Sequence, residues 1–320
     1  MSFFSILLAL LLEQARPLIR GNLVHASMRS WVRWVSRSFD AGRTSHGWLV
    51  WSLAGAGPAL AALAIYWLAL ALIGWPLAML WSVAVLYATL GFRQFSHHFT
   101  DIRKALDSGD EERARGLLAE WQQIKAGELP RQEIIRHVIE HSVLSAHRHV
   151  FGVLAWYSVF AACGLGPAGA VLYRLAEFIS RYWPYLASRQ ERPVSEAACA
   201  AAGKAWHLVD WVPARLTALC FGVVGNFEDA IDAWRNYETL AQATNDGVIL
   251  VAASGAVNVQ LGEAGETDAT DGQDQATKVA APVRQVPELA HLRSIVGLVW
   301  RTVVLWMTLL ALLTLAWLLG

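Results

Sequence analysis

The chain has 320 residues and no formal net charge, 26 Lys and Arg against 26 Asp and Glu. Apolar residues make up 55%, charged residues only 16%, and mean hydropathy is +0.36, whereas a soluble domain carries about 25% charge. This excludes an ordinary soluble domain, and neutrality argues against a nucleic-acid partner; sixteen tryptophans suit the headgroup zones of a bilayer.

The three cysteines, Cys163, Cys199 and Cys220, have no pair spacing and no metal pattern, so each reads as a small buried hydrophobe. Residues 3–12, "FFSILLALLL", are apolar but cover only about half of the roughly 20 residues that a span requires. No basic segment precedes them and no small-residue cleavage site follows, which argues for an interfacial helix or a tilted short span rather than a signal peptide. Next come Arg16, Arg20, Arg29, Arg33, Arg37 and Arg43 against Asp40 alone, a bias that places residues 15–46 on the cytoplasmic side, within a segment 1–46 of interfacial and basic amphipathic character. Within them Trp31, Trp34 and Val35 share one helical face and Arg29, Arg33 and Arg37 another, the pattern of an amphipathic helix on anionic headgroups.

Gly47–Phe92 carries no charge. It holds two spans, turned at Gly74-Trp75-Pro76. Residues 93–149 are polar and show helical periodicity broken at Ser108-Gly109, which predicts a cytoplasmic helical hairpin. A third span is expected at Val150–Tyr173, interrupted by "CGLGPAG", where freed backbone groups line a cavity or a loop joins two half-helices. Residues 174–225 read as interfacial, then apolar around Asp210, Pro213 and Arg215, charges that pair or face the bundle interior. An acidic helix follows, then a turn at Asn245-Asp246-Gly247 and a helix of small residues suited to close packing; together residues 150–261 form a set of broken transmembrane and interfacial helices. Residues 262–293, with Glu263, Glu266, Asp268, Asp271 and Asp274, miss the calcium-loop register and read as a mobile acidic loop. Residues 294–320 end the chain with an uncharged span from Thr302. The fold class is therefore all-α: a polytopic helical membrane protein of the bacterial inner membrane, its first partner the lipid bilayer.

The chemically loaded stretch is His137-x-x-Glu140-His141, a spacing known from zinc proteases. It lacks a third ligand beyond the loose candidates His97 and His98, and Arg136 and Arg148 flank it. The plainer reading is a polar helix end capped at the bilayer surface by His147, Arg148 and His149. No metal site is expected. The ligand-binding candidates are His137, Glu140, His141, Asp210 and Arg215, of which Glu140 and Asp210 are the only candidates for catalysis.

The order of "RQEIIRHVIEHSVLSAHRHVFGVLAWYSVF", "LVDWVPARL" and "NDGVILVAASGAVNVQLG" resembles the CobD/CbiB family, membrane synthases that join aminopropanol to a corrinoid carboxylate. "LLALLLEQARPL", "AGRTSHG" and "LVDWVPARL" resemble AmpE, an inner-membrane protein linked to β-lactamase regulation and itself similar to CobD/CbiB. The resemblance covers nearly the whole chain. It also shows departures. The enzymes open on a "GDP…HPV"-type stretch where this chain has "RPLIRGNLVHASM". Glu140 matches the first family acid, but Leu144 and Ser145 stand at the acid–Asn pair and Arg148 at an aspartate. "AEFISR", Ala176 to Arg181, replaces "NTLDSM" without that acid. Trp206 and His207 replace a pair of aspartates, and Asp210 falls on an asparagine. Amide formation from a carboxylate needs activation by a nucleotide phosphate with Mg²⁺, and no nucleotide fingerprint is present.

The resemblance and its missing acids together imply a non-catalytic, AmpE-like component that binds or signals, with a corrinoid or cell-wall fragment as ligand and a possible protein partner. Pro213, Arg215 and Asp210 are then expected to hold a polar cavity with Glu140 and the histidines on its rim. The alternative is a divergent cobalamin-biosynthesis protein forming the aminopropanol amide with Mg²⁺ and nucleotide, using Glu140 and Asp210. A second alternative is a carrier built on the break at Gly164 to Gly169.

Overall fold

The structure is a computed structural model that describes residues 2–16, 23–122, 129–188, 194–240, 242–262 and 284–319. The expected acidic carboxylates from Glu263 to Asp274 lie outside the described residues. Among those described, helices carry the fold: α1 Ser2–Ala15, α2 Leu23–Phe39, α3 Thr44–Leu72, α4 Trp75–Thr89, α5 Phe92–Asp107, α6 Glu111–Gln122 and α7 Arg131–Ala146. A π turn, His147–Phe151, leads into α8 Gly152–Ala162, α9 Ala168–Ser188, α10 Glu196–Val224, α11 Phe227–Glu238, α12 Asn245–Val257 and α13 Leu289–Leu319. The one extended contact among the described residues is an isolated bridge, Val259 to Gln285. This is an all-α membrane protein. Three of the described helices are long and apolar enough to cross a bilayer: Ser45–Leu72, Glu196–Val224 and Leu289–Ala316. Leu60, Trp67, Leu68 and Leu72 on α3 and Leu312 and Leu313 on α13 stand exposed, an apolar surface that lipid accommodates and water does not.

The helices begin and end for local reasons. Gly74, at φ 90°, and Pro76 separate α3 from α4. Gly109, at φ 78°, separates α5 from α6.

The structure decides one open reading and corrects others. Of the two readings for Val150–Tyr173, one interrupted span or a loop joining two half-helices, the structure takes the second. Gly164 and Gly166 take positive φ, 74° and 54°, and Pro167 offers no N–H, so the helix cannot propagate; α8 and α9 fold back on each other instead. The described helix of this region that is long and apolar enough to cross a bilayer is α10, which runs unbroken through Asp210, Pro213 and Arg215. The turn expected at Asn245-Asp246-Gly247 is the first turn of α12, because Thr244 caps that helix and its hydroxyl accepts from the Gly247 N–H at 3.0 Å; the chain turns just before it. α13 starts at Leu289, within the stretch read as acidic loop, and takes in Arg293 and Arg301.

The chain divides into two compact units. The first comprises residues 1–94, 147–213 and 307–320. Its core joins Val32 and Val35 of α2, Val50 and Ala54 of α3, Leu175, Ile179 and Trp183 of α9, and Ala198 and Ala202 of α10. Thus α2 lays its apolar stripe on protein, with Val32 and Val35 fully buried and Trp34 left outside. Prolines sit inside α3 (Pro58) and α10 (Pro213), and each deprives the carbonyl four residues earlier of its helical donor. Tryptophans replace the lost donors. The Trp31 indole donates to the Ala54 carbonyl at 3.1 Å, and the Trp156 indole donates to the Val209 carbonyl at 2.9 Å. In hydrocarbon such a carbonyl needs a partner.

The second unit comprises residues 95–146 and 214–306. Here α11 and α12 pack as a pair around Ala218, Val248 and Ala252, flanked by Trp234 and Tyr237. Gly255 lies against the Asp229 carbonyl with no room for a side chain. α7 packs on α12 and α6.

Candidate functional site

In the first unit the stretch read as a polar helix end enters the protein. The π turn at His147–Phe151 shifts the register of the chain, a device common near functional sites, and His147 becomes fully buried. This corrects the surface-cap reading for that residue. Its Nε2 lies 2.8 Å from Oδ1 of Asp210, also fully buried. The Tyr173 hydroxyl donates to the same oxygen at 2.8 Å and lies 3.3 Å from the His147 Nε2. The close approach depends on Gly152: a Cβ there would occupy the space of the Tyr173 phenol. Asp210 Oδ2 has no hydrogen-bond partner among the described residues. An aspartate in an apolar span needs donors, and His147 and Tyr173 supply them. Sequence reasoning named Asp210 but missed both partners; the demand of Asp210 for a donor was the available signal.

One turn along α9, Glu177 is buried, with Arg174 Nη1 at 3.0 Å from one carboxylate oxygen and Arg181 on the other. "AEFISR" therefore does bring an acid into the protein, tied to two arginines.

The second unit holds His137, Glu140, His141 and Arg215. Glu140 Oε1 accepts the Gly262 N–H at 2.8 Å and lies 4.0 Å from Arg136 Nε, while Arg136 also pairs with Glu133 at 2.6 Å. The His141 ring meets Trp121 edge-on, centroids 4.4 Å apart, and His98 stacks on that indole at 5.9 Å. The His137 carbonyl accepts from the Gln122 amide at 3.0 Å. Arg215 donates to Asn245 at 3.1 Å and pairs with Glu238 at 2.9 Å. Arg284 donates to the Ser254 hydroxyl at 2.6 Å; burial pulls its guanidinium below the ordinary range, against the opposing pull of Asp229.

The arrangement brings separate motifs together. Glu140 of the histidine-rich helix holds the end of "NDGVILVAASGAVNVQLG" at Gly262, and Arg215 of "LVDWVPARL" holds its start at Asn245. In the first unit, Asp210 of "LVDWVPARL" holds His147. These carboxylates are thus committed to histidine, tyrosine, arginine or backbone donors. Among the described residues no three His, Cys, Asp or Glu side chains gather as metal ligands.

Residues 4–299 match the family described as CobD/Cbib protein. The chain belongs to the CobD/CbiB family. It is 30% identical over 279 residues to "Cobalamin biosynthesis protein CobD" of Stutzerimonas stutzeri, covering 84% of this chain and 82% of that one. It is 33% identical over 180 residues to the protein of the same name in Chromobacterium violaceum, covering 56% and 54%. A Leptospira interrogans protein of that name is 26% identical over 195 residues, covering 59% and 58%. No solved structure matches the chain. These relatives overturn the expectation of a non-catalytic component in β-lactamase regulation: a CobD/CbiB chain whose matched relatives are named for cobalamin biosynthesis stands with them. That expectation rested on acids replaced at single positions, and such replacements do not remove the chain from the family.

Proposed function

We propose that this protein acts in cobalamin biosynthesis, as an inner-membrane, multi-pass CobD/CbiB-type protein that takes a corrinoid acid and forms its aminopropanol amide. The observation that carries this reading is the family match over residues 4–299, together with the 30% identity to a cobalamin-biosynthesis relative across 84% of the chain. The structure supports it in one respect. Segments that carry the family resemblance are tied to each other by a buried contact, Asp210 with His147, and a half-buried one, Glu140 with Gly262. Asp210, His147 and Tyr173 are withdrawn from solvent, so they act as positioning residues that fix α10 against the π turn and α9. Glu140, part-exposed at 18%, is the carboxylate we assign to substrate contact. The arginine bias of residues 16–43 favours a cytoplasmic face for that end of the chain.

The test is complementation. The gene restores cobalamin-dependent growth to a strain lacking its adenosylcobinamide-phosphate synthase, and Glu140→Gln weakens the rescue. Failure of the wild-type gene to rescue, with the protein present in the membrane, contradicts the reading.

A further inference from the structure

Beside the apolar stripe of α2 lies a cavity of about 490 Å³, walled by Arg29, Arg33, Ser36 and Arg37 of α2 and by Tyr182 and Tyr185 of α9. Three guanidiniums on successive turns repel one another. Among the described residues none of the three is paired with a carboxylate. The nearby Asp40 is engaged elsewhere: it accepts from the Ser195 hydroxyl and N–H, both at 2.8 Å, and from the Gly42 N–H at 3.1 Å. Arg33 turns its Nε onto the Arg29 carbonyl at 3.4 Å, which fixes the side chain and leaves its terminal nitrogens as donors. Tyr182 is held by stacking on Phe178, centroids 4.8 Å apart, and Tyr185 stacks on Tyr182. Ser36 is itself buried, its hydroxyl donating to the Arg33 carbonyl at 3.0 Å. The cavity thus presents positive charge and planar donors, on a helix anchored in the core by Val32 and Val35, with no carboxylate among its lining residues. Guanidinium forks match phosphate oxygens, and such charge-assisted bonds are the strong ones.

We propose that this cavity binds a phosphate-bearing anion. The same chemistry is offered by a lipid phosphate headgroup and by a soluble phosphate compound. The lipid arm stands apart from the corrinoid reading, the soluble arm takes in the phosphate compounds which that reading needs, and in both the readout is binding rather than turnover.

The experiment uses the full chain in detergent with two probes: phosphatidylglycerol, read by native mass spectrometry against phosphatidylcholine, and inorganic pyrophosphate, read by ³¹P NMR titration. Arg33→Gln is expected to weaken binding about tenfold, a loss of one charge-assisted contact. Arg29→Gln and Arg37→Gln, at exposed positions, weaken it as well and keep the test decisive if Arg33→Gln does not fold. Arg113→Gln, an exposed arginine of α6, controls for net charge. Loss confined to phosphatidylglycerol assigns a lipid headgroup. Loss confined to pyrophosphate assigns a soluble phosphate compound, and loss in both assigns a site open to either. Unchanged binding of both probes in the folded cavity variants, or an equal loss in Arg113→Gln, overturns the proposal.

Discussion

His147 and Asp210 meet at 2.8 Å, both fully out of solvent, at the point where the chain passes from a polar helix into an apolar one. The pair lets an aspartate sit within a helix long enough to cross a bilayer. Removing either partner strands the other, and breaking a buried pair costs about 3–5 kcal/mol. His147→Ala and Asp210→Ala are each expected to lower the thermal unfolding midpoint in detergent. The double variant is expected to be less destabilised than the sum of the two, since residues in one network do not behave additively. Additive losses contradict a direct coupling.

The Trp156 indole bond to the Val209 carbonyl answers Pro213. Trp156→Phe is expected to cost about 1–3 kcal/mol, the penalty of an unsatisfied buried acceptor. In a Pro213→Ala background the new alanine restores a backbone N–H for that carbonyl, so Trp156→Phe costs less there. Unfolding midpoints of the four proteins check this; equal losses in both backgrounds contradict the pairing.

Gly152 makes room for the Tyr173 phenol, whereas Gly203 on α10 faces open space. Gly152→Ala is expected to destabilise by about 1–3 kcal/mol through overpacking. Gly203→Ala is expected to be neutral or stabilising by up to about 1 kcal/mol, from helix propensity. The reverse order of midpoints contradicts the packing described.

Glu140 holds the Gly262 N–H at 2.8 Å. Glu140→Ala removes a charge-assisted bond of about 1.5–3 kcal/mol and speeds amide exchange at Gly262 by roughly tenfold or more. Glu140→Gln keeps an acceptor and speeds it less. Exchange at Gly262 that is unchanged in Glu140→Ala contradicts the contact.

Local chemistry made part of this fold readable. Gly74-Trp75-Pro76 and Ser108-Gly109 break helices where they stand, because positive φ and a missing N–H are properties of single residues. The uncharged run after Gly47 likewise announced α3. The break at Gly164 to Pro167 was visible, but its consequence was not: whether a helix continues past it or folds back depends on the packing of α8 on α9. α10 was obscured because Asp210 and Arg215 lower its hydropathy, and the groups that make Asp210 tolerable, His147 and Tyr173, come from other elements. The bonds of Trp31 and Trp156 to proline-freed carbonyls join positions far apart in sequence and leave no local pattern. Asp210 and Glu140 stood out as acids in unusual company; His147 was hidden among the other histidines near it.

The most direct test is chemical. Purified protein, reconstituted in lipid with adenosylcobyrate, aminopropanol phosphate, ATP and Mg²⁺, is expected to yield the corrinoid amide by mass spectrometry, with turnover reduced in Glu140→Gln. Absence of product from folded wild-type protein, under conditions where a CobD relative turns over, contradicts a role in forming that amide.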